Sequence, residues 1–236
     1  MDDPRFEAAL AEARLEALRE FAYGAGHEIN NPLANIAARA QALLVDERDP
    51  ERRRRLSTIV DQAFRARDMI GGLMVFARPP KPQPSATALE GIVRAVLEPL
   101  QPVAAARGLR VEYAPPPVPL EVHVDAAQIV EALRALVVNA FEAVEDAGRV
   151  TVAARDTGAV AEIEVVDDGR GMDAATLRRA FDPFFSGRDA GRGIGMGLPK
   201  AWRLVELNGG TVAVDSRPHA GTRVTLALPL AGRTEP

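Results

Sequence analysis

Phe6, Leu10, Ala13, Leu18 and Phe21 fall at roughly helical spacing with charged residues between them. Leu33, Ile36, Ala37, Ala40, Leu43 and Leu44 continue a second apolar stripe, so residues 4–45 read as mostly helical. The polar run DERDP at 46–50 ends this segment as a turn. A second helix is expected from about Glu51 to Ala77, on the stripe Leu56, Ile59, Val60, Ala63, Ile70, Leu73 and Ala77. Two long amphipathic helices joined by a short loop make a helical hairpin. A hairpin alone cannot cover both of its apolar faces. Pairing of two copies into a four-helix bundle would cover them, and so would packing on the chain's own C-terminal half.

Pro79, Pro80, Pro82 and Pro84 then mark a stiff extended linker over 81–87. Beyond it the periodicity changes. Residues 88–107 read as helix, LRVEY at 109–113 alternates like a strand, and a proline stretch follows at 115–119. Residues 125–145 form a strongly periodic helix. RVTVAAR (149–155) and AVAEIEVVDDG (159–169) read as strands, 173–181 as a short helix, 182–197 as a glycine-rich loop and 198–208 as helix. TVAVDS and TRVTLALPL are two last strands. This order implies an all-α hairpin followed by an α+β sandwich whose mixed sheet is covered on one face. The expected division is 1–80 for the N-terminal helix and hairpin, 81–87 for the linker and 88–236 for the second domain.

Composition narrows the function classes. The chain has 236 residues, 47% hydrophobic and 26% charged, enough for two small domains with real cores. Its net charge of -4 gives no global attraction to nucleic acid or anionic membrane. There is no cysteine, which excludes disulfides, thiolate metal sites and a cysteine nucleophile. No apolar run approaches the roughly 20 residues that span a bilayer, and the N-terminal segment lacks a signal-peptide core. A cytoplasmic setting is the expectation.

Two places carry candidate chemistry. The first is AGHEINNPLANI, on the first helix. His27 and Asn31 are four apart and share a face, and Glu28 adjoins the histidine. An imidazole with one unprotonated nitrogen can attack phosphorus, and a carboxylate on the other nitrogen fixes the tautomer and takes up charge. Asn31 suits orientation of a water or a phosphoryl oxygen. Pro32 costs the helix about 3 kcal/mol and suggests a bend there. A lone surface histidine is the plainer alternative. The zinc-protease pattern H-E-x-x-H fails, because its second histidine position is Asn31.

The second place is a nucleotide pocket built without a P-loop, since no G-x-x-x-x-G-K-[ST] occurs. In ALRALVVNAFEAV, Asn139 interrupts an apolar stripe and offers an oxygen to a hard cation such as Mg²⁺, with Glu142 about one turn on. A partly buried asparagine satisfied by backbone is the alternative. In VVDDGRGM, Asp167 at a strand end can accept from an exocyclic amine, and Gly169 and Gly171 let backbone approach a flat ring. In GRGIGMGLPK, Gly193, Gly195 and Gly197 keep side chains away from a phosphate chain, ahead of a helix starting near Leu198 whose N–H groups favour anions. Between them FDPFFSGRDAG reads as a mobile lid whose Arg188 reaches a γ-phosphate, or else as a surface loop with a solvated arginine.

AGHEINNPL resembles the H-box of two-component sensor histidine kinases, especially the nitrogen-regulator-sensor type. The later segments, in this order, resemble the N, G1, F and G2 boxes of the ATP-binding domain shared by histidine kinases, gyrase B, the 90 kDa heat-shock chaperone and MutL. The resemblance implies that His27 is autophosphorylated from Mg·ATP, that Glu28 assists proton transfer, and that Asn31 serves dephosphorylation of a partner response regulator. It also implies that Asn139 binds Mg²⁺, that Asp167 binds adenine, and that the chain forms a homodimer. One departure stands out. Many such kinases carry a second asparagine four residues before the Mg²⁺ ligand, where this chain has Ala135, and the gyrase branch has a water-activating glutamate there. Steady ATP hydrolysis of the gyrase kind is therefore not expected. A nucleotide-binding pseudokinase scaffold without phosphotransfer is the alternative that Ala135 favours.

Overall fold

A computed structural model describes residues 26, 28–145, 147–187 and 195–232. His27, Arg188 and Gly193 lie outside the described residues. The chain divides into two compact units, Met1–Pro80 and Lys81–Pro236.

In the first unit, residues 28–46 form helix α1 and Pro50–Ala77 form helix α2. Asp49 starts α2: its side chain accepts from the Arg52 N–H at 2.8 Å, and Pro50 supplies the pre-set φ of a first helical position. Arg53 pins the connection by donating to the carbonyls of Leu44 (3.0 Å) and Glu47 (2.8 Å). Ala37 and Ala40 of α1 are buried, as are Val60 and Ala63 of α2. The anticipated α1 stripe therefore splits. Its alanines are buried, while its Ile36 and Leu43 remain exposed, as does Ile29, which the anticipated stripe did not include and which continues their seven-residue spacing.

The second unit contains β1 (Ser85–Ala88), α3 (Leu89–Ala106), β2 (Arg110–Ala114), β3 (Glu121–Val124), α4 (Ala126–Ala143), β4 (Arg149–Asp156), β5 (Val160–Asp167), α5 (Ala174–Arg178), α6 (Gly197–Leu207), β6 (Thr211–Ser216) and β7 (Thr222–Pro229). Five strands form a sheet in the order β2-β4-β5-β7-β6. Only the β2–β4 pair in it is parallel, so the sheet is mixed as expected. Alternate residues face a helical layer. Val150 and Val152, Ile163 and Val165, and Leu226 and Leu228 are buried, as are Ile92 and Val96 of α3, Ile129 and Leu133 of α4, and Leu204 and Val205 of α6. Each fully buried side chain of this kind contributes about 1.5–3 kcal/mol. The opposite face of the sheet carries an ion-pair ladder, in which Glu164 meets Arg155 at 3.1 Å and Arg223 at 2.6 Å.

Two strands were not anticipated. β1 and β3 pair antiparallel as a separate two-stranded sheet, so the last residues of the supposed linker belong to the folded unit. Each is four residues long, and Ser-Ala-Thr-Ala carries no apolar alternation to read. Among the described residues, no helix is long and apolar enough to cross a membrane.

Candidate functional site

The last turn of α4 is where the separate glycine motifs meet. Asn139 lies half-buried on that helix, and the backbone of Gly197, the first residue of α6, rests against its carboxamide. A Cβ on residue 197 would sit 2.6 Å from both Asn139 Nδ2 and Oδ1. One turn further, Gly169 presses on the end of the same helix. A Cβ there would lie 2.5 Å from the Ala143 carbonyl oxygen and 2.8 Å from Asp167 Oδ1. Gly169 therefore excludes any side chain larger than hydrogen, and a side chain at 197 would have to displace the Asn139 carboxamide. Arg107, at the end of α3, closes the helix by donating to the carbonyls of Phe141 (2.8 Å) and Val144 (3.1 Å).

Asp167 ends β5 and is 7% exposed. It accepts from the Gly169 N–H at 2.9 Å. Burial pushes its carboxyl up to about 6, against the opposing pull of the Gly169 and Thr222 N–H groups and with the help of neighbouring Asp168. The β6–β7 turn supports it from below: Ser216 Oγ donates to the Gly221 carbonyl and accepts from the Met172 N–H, both at 2.9 Å. Gly171 has a φ of 65°, and its Cα faces the Arg217 carbonyl, leaving no room for a side chain. This is a hydrogen-bond acceptor held at the floor of a glycine-lined bend.

The start of α6 differs from the other helix starts. α2, α4 and α5 each begin on an aspartate whose carboxylate takes a first-turn N–H. α3 lacks such a cap, but its Leu89 N–H donates to the Leu120 carbonyl. α6 begins on Met196 with no side-chain cap. This start lies beside Asn139, and the N–H groups and dipole of a helix start favour an anion. The chain on either side of 188–194 is tied together, because the Phe184 N–H donates to the Gly195 carbonyl at 3.1 Å. Arg179 fixes this base by stacking over Phe185 at 4.0 Å and pairing with Asp182 at 3.1 Å.

The residues present fit a metal nucleotide. Among the described residues no group of three or more histidine or acidic side chains gathers for a metal. A Mg²⁺ ion held by one or two protein oxygens together with phosphates and water needs none. The Asn139 carboxamide would offer such an oxygen, and Glu142 is exposed one turn on. In the first unit, Glu28 and Asn31 are exposed on α1. Gly26, just before His27, packs against Met74 of α2, where an added Cβ would lie 3.0 Å from Met74 Cγ.

Residues 124–232 match the family of histidine kinase-, DNA gyrase B- and HSP90-like ATPases, and residues 17–81 match the His Kinase A (phospho-acceptor) domain. The chain belongs to the histidine kinases. It is similar to the sensor histidine kinase ZraS of Klebsiella oxytoca, 29% identical over 231 residues that cover 96% of this chain and 49% of that protein. The ZraS of Escherichia coli O157:H7 is 30% identical over 220 residues, covering 92% of this chain and 47% of the relative. This histidine kinase chain thus spans about half the length of these relatives. A full-length ShkA in complex with AMPPNP has the same fold, with a TM-score of 0.74, 23% identity, and coverage of 92% of this chain and 47% of that one. Histidine kinase ThkA, in complex with the response regulator TrrA, shares the fold at a TM-score of 0.69 and 20% identity, covering 92% of this chain and 63% of ThkA.

Sequence reasoning about this kinase missed the supports of the site. Arg107, Ser216, Gln128, Asn208 and Glu131 belong to no motif, Lys200 only ends GRGIGMGLPK without a role read there, and partners of each lie far away in the chain. For Asn208, an asparagine directly before Gly209-Gly210 at a helix end was a signal of sorts.

Proposed function

We propose that this chain transfers the γ-phosphoryl group of Mg·ATP to His27, and then to an aspartate of a response regulator. The supporting observation is the convergence at the end of α4. Gly197 lies on Asn139, Gly169 lies on Ala143, and an uncapped α6 begins alongside. Asp167 would accept the adenine exocyclic N–H, and Gly169 and Gly171 would let the ring approach. Asn139 would hold Mg²⁺, with Glu142 ordering its water, and the ion would neutralise phosphate charge. Gly193, Gly195 and Leu198 would leave backbone N–H groups open to the phosphates, and Arg188 would meet the γ-phosphate.

In the transfer itself, an unprotonated ring nitrogen of His27 forms a bond to the γ-phosphorus as the bond to the β–γ bridging oxygen breaks, and ADP departs. Glu28 takes the proton from the other ring nitrogen. Catalysis is by positioning and charge neutralisation, which needs no water-activating base at Ala135. Asn31 would orient the water that removes phosphate from the regulator. A partner of this kind is supported by ThkA, solved with its response regulator.

Incubation with γ-labelled ATP is expected to give acid-labile, alkali-stable label on the protein, absent from His27→Gln. Label that survives in His27→Gln would overturn the assignment. Ala135 favours a second reading, a nucleotide-binding scaffold without transfer. It predicts tight ATP binding and no label in the same assay.

A further inference from the structure

α6 lies along α4, and their contacts run the length of the pair. At one end, the buried Asn208 side chain donates to Gln128 Oε1 at 2.9 Å. At the other, Gly197 rests on Asn139. Between them Lys200 Nζ meets Glu131 Oε1 at 2.6 Å, with the lysine side chain 18% and the glutamate 40% exposed. Arg94–Glu90 and Arg203–Glu206 join residues of a single helix, whereas this pair crosses from one helix to the other. Glu131, Ala135 and Asn139 recur at intervals of four, so they lie along one face of α4. Lys200 follows Gly197 by three residues and projects from the same side of α6.

A charge drawn into a helix–helix seam gains little stability over an apolar pair of the same shape, because desolvation offsets the attraction. What it does supply is registry, since an ammonium half-withdrawn from water holds its carboxylate and resists sliding. The apolar burial of Leu204 and Val205 is non-directional and supplies no polar registry of its own. The Gly197–Asn139 contact would not tolerate a slide by a fraction of a turn.

We propose that Lys200 and Glu131 are positioning residues of the nucleotide site, setting the register of α6 on α4 so that the phosphate-facing start of α6 sits against Asn139. This rests on the reading of Asn139 and Gly197 as the phosphate end of the ATP site. It also gives Ala135 a context: the face of α4 that carries it is held to α6 by the ion pair one turn away. Neither residue touches the nucleotide. Their effect falls on phosphate and Mg²⁺ binding, and the adenine end at Asp167 is spared.

The test compares ATP and adenosine binding by calorimetry, with Mg²⁺ present, on the whole 236-residue chain. Glu131→Gln and Lys200→Met are each expected to weaken ATP about fivefold or more, a size usual for coupling through a packed network. Adenosine affinity stays within about twofold. Glu131→Gln is the more damaging, because it strands the less exposed ammonium. Lys200→Arg keeps wild-type ATP affinity, and the exchanged pair Glu131→Lys with Lys200→Glu recovers at least part of the loss. Melting temperatures taken alongside register any general loosening. Unchanged ATP affinity in both single variants would overturn the proposal, and so would equal weakening of ATP and adenosine. A wild-type chain that binds no ATP would instead overturn the nucleotide-site reading, and this inference with it.

Discussion

Asp167 ends β5 with its carboxyl pushed up to about 6 by burial, although two backbone N–H groups favour the ionised form. In the unfolded chain the same group titrates near 3.8. The folded state therefore holds this proton more tightly than the unfolded state does. The resulting contribution to stability is fully present below about pH 4 and is lost as the pH rises through about 6. With Asp167 as the proposed adenine acceptor, nucleotide binding should have the opposite dependence, because an adenine N–H is accepted best by the carboxylate. ATP affinity is expected to fall as the pH drops from 7.5 through 6, and binding at pH 6 to release about half a proton. Calorimetry in two buffers of different ionisation enthalpy measures that release directly. Asp167→Asn should remove it and weaken binding roughly tenfold to a hundredfold, the range for a hydrogen bond to a charged group. Proton release that persists in Asp167→Asn would assign the titration to another residue.

At the scale of elements, the α4–α6 pair is fastened at its far end by a buried polar cluster. Asn208 Nδ2 donates to Gln128 Oε1 and to the Leu204 carbonyl, while its Oδ1 accepts from the Asp125 N–H at 2.7 Å. Asp125 in turn caps α4 and accepts from the Gln83 N–H at 2.9 Å, which ties down the proline-rich stretch. Asn208→Ala would remove the donor that Gln128 Oε1 accepts from and the acceptor of the part-buried Asp125 N–H, at about 1–3 kcal/mol for a polar group that loses its partner. The expected loss is about 3 kcal/mol, roughly 10 °C in the melting temperature of a domain this size. A shift under about 2 °C in scanning calorimetry would mean that water replaces the carboxamide. None of this cluster was legible beforehand, whereas α4 and β5 were. Their periods run over 18 and 8 residues, and a long period is its own signal. β1 and β3 are too short to show one. The motifs around Asn139, Asp167 and Gly197 could each be read as chemistry. Their meeting on one turn of α4 could not, because 58 positions separate Asn139 from Gly197 and only the tertiary fold closes that interval.

For the whole molecule, the open question raised by the hydrophobic pattern is what covers the hairpin. Ile29, Ile36 and Leu43 of α1 are 36%, 47% and 63% exposed, and Ile59 of α2 is 45% exposed. A seven-residue spacing drifts by only about 20° per repeat, so the three α1 side chains form one stripe, the pattern of a helix that packs on another. The matching phospho-acceptor domain family supports a second copy of the chain as the occupant. Two-fold symmetry makes every substitution count twice in such an interface. Ile36→Glu would bring two unpaired carboxylates into it, a cost of several kcal/mol and so at least about a hundredfold in dimer affinity. Sedimentation equilibrium at micromolar concentration is expected to give twice the 25.3 kDa chain mass for the wild type and the single-chain mass for Ile36→Glu. Ala38→Glu, on an exposed position two residues from Ile36 and so on the opposite side of the same helix, should stay dimeric. ATP affinity should be equal in all three, since every residue assigned to the nucleotide lies within Lys81–Pro236. A wild-type chain that sediments at 25.3 kDa would show that the stripe meets something other than a second copy. An Ile36→Glu dimer as tight as wild type would move the interface to a different face of the hairpin.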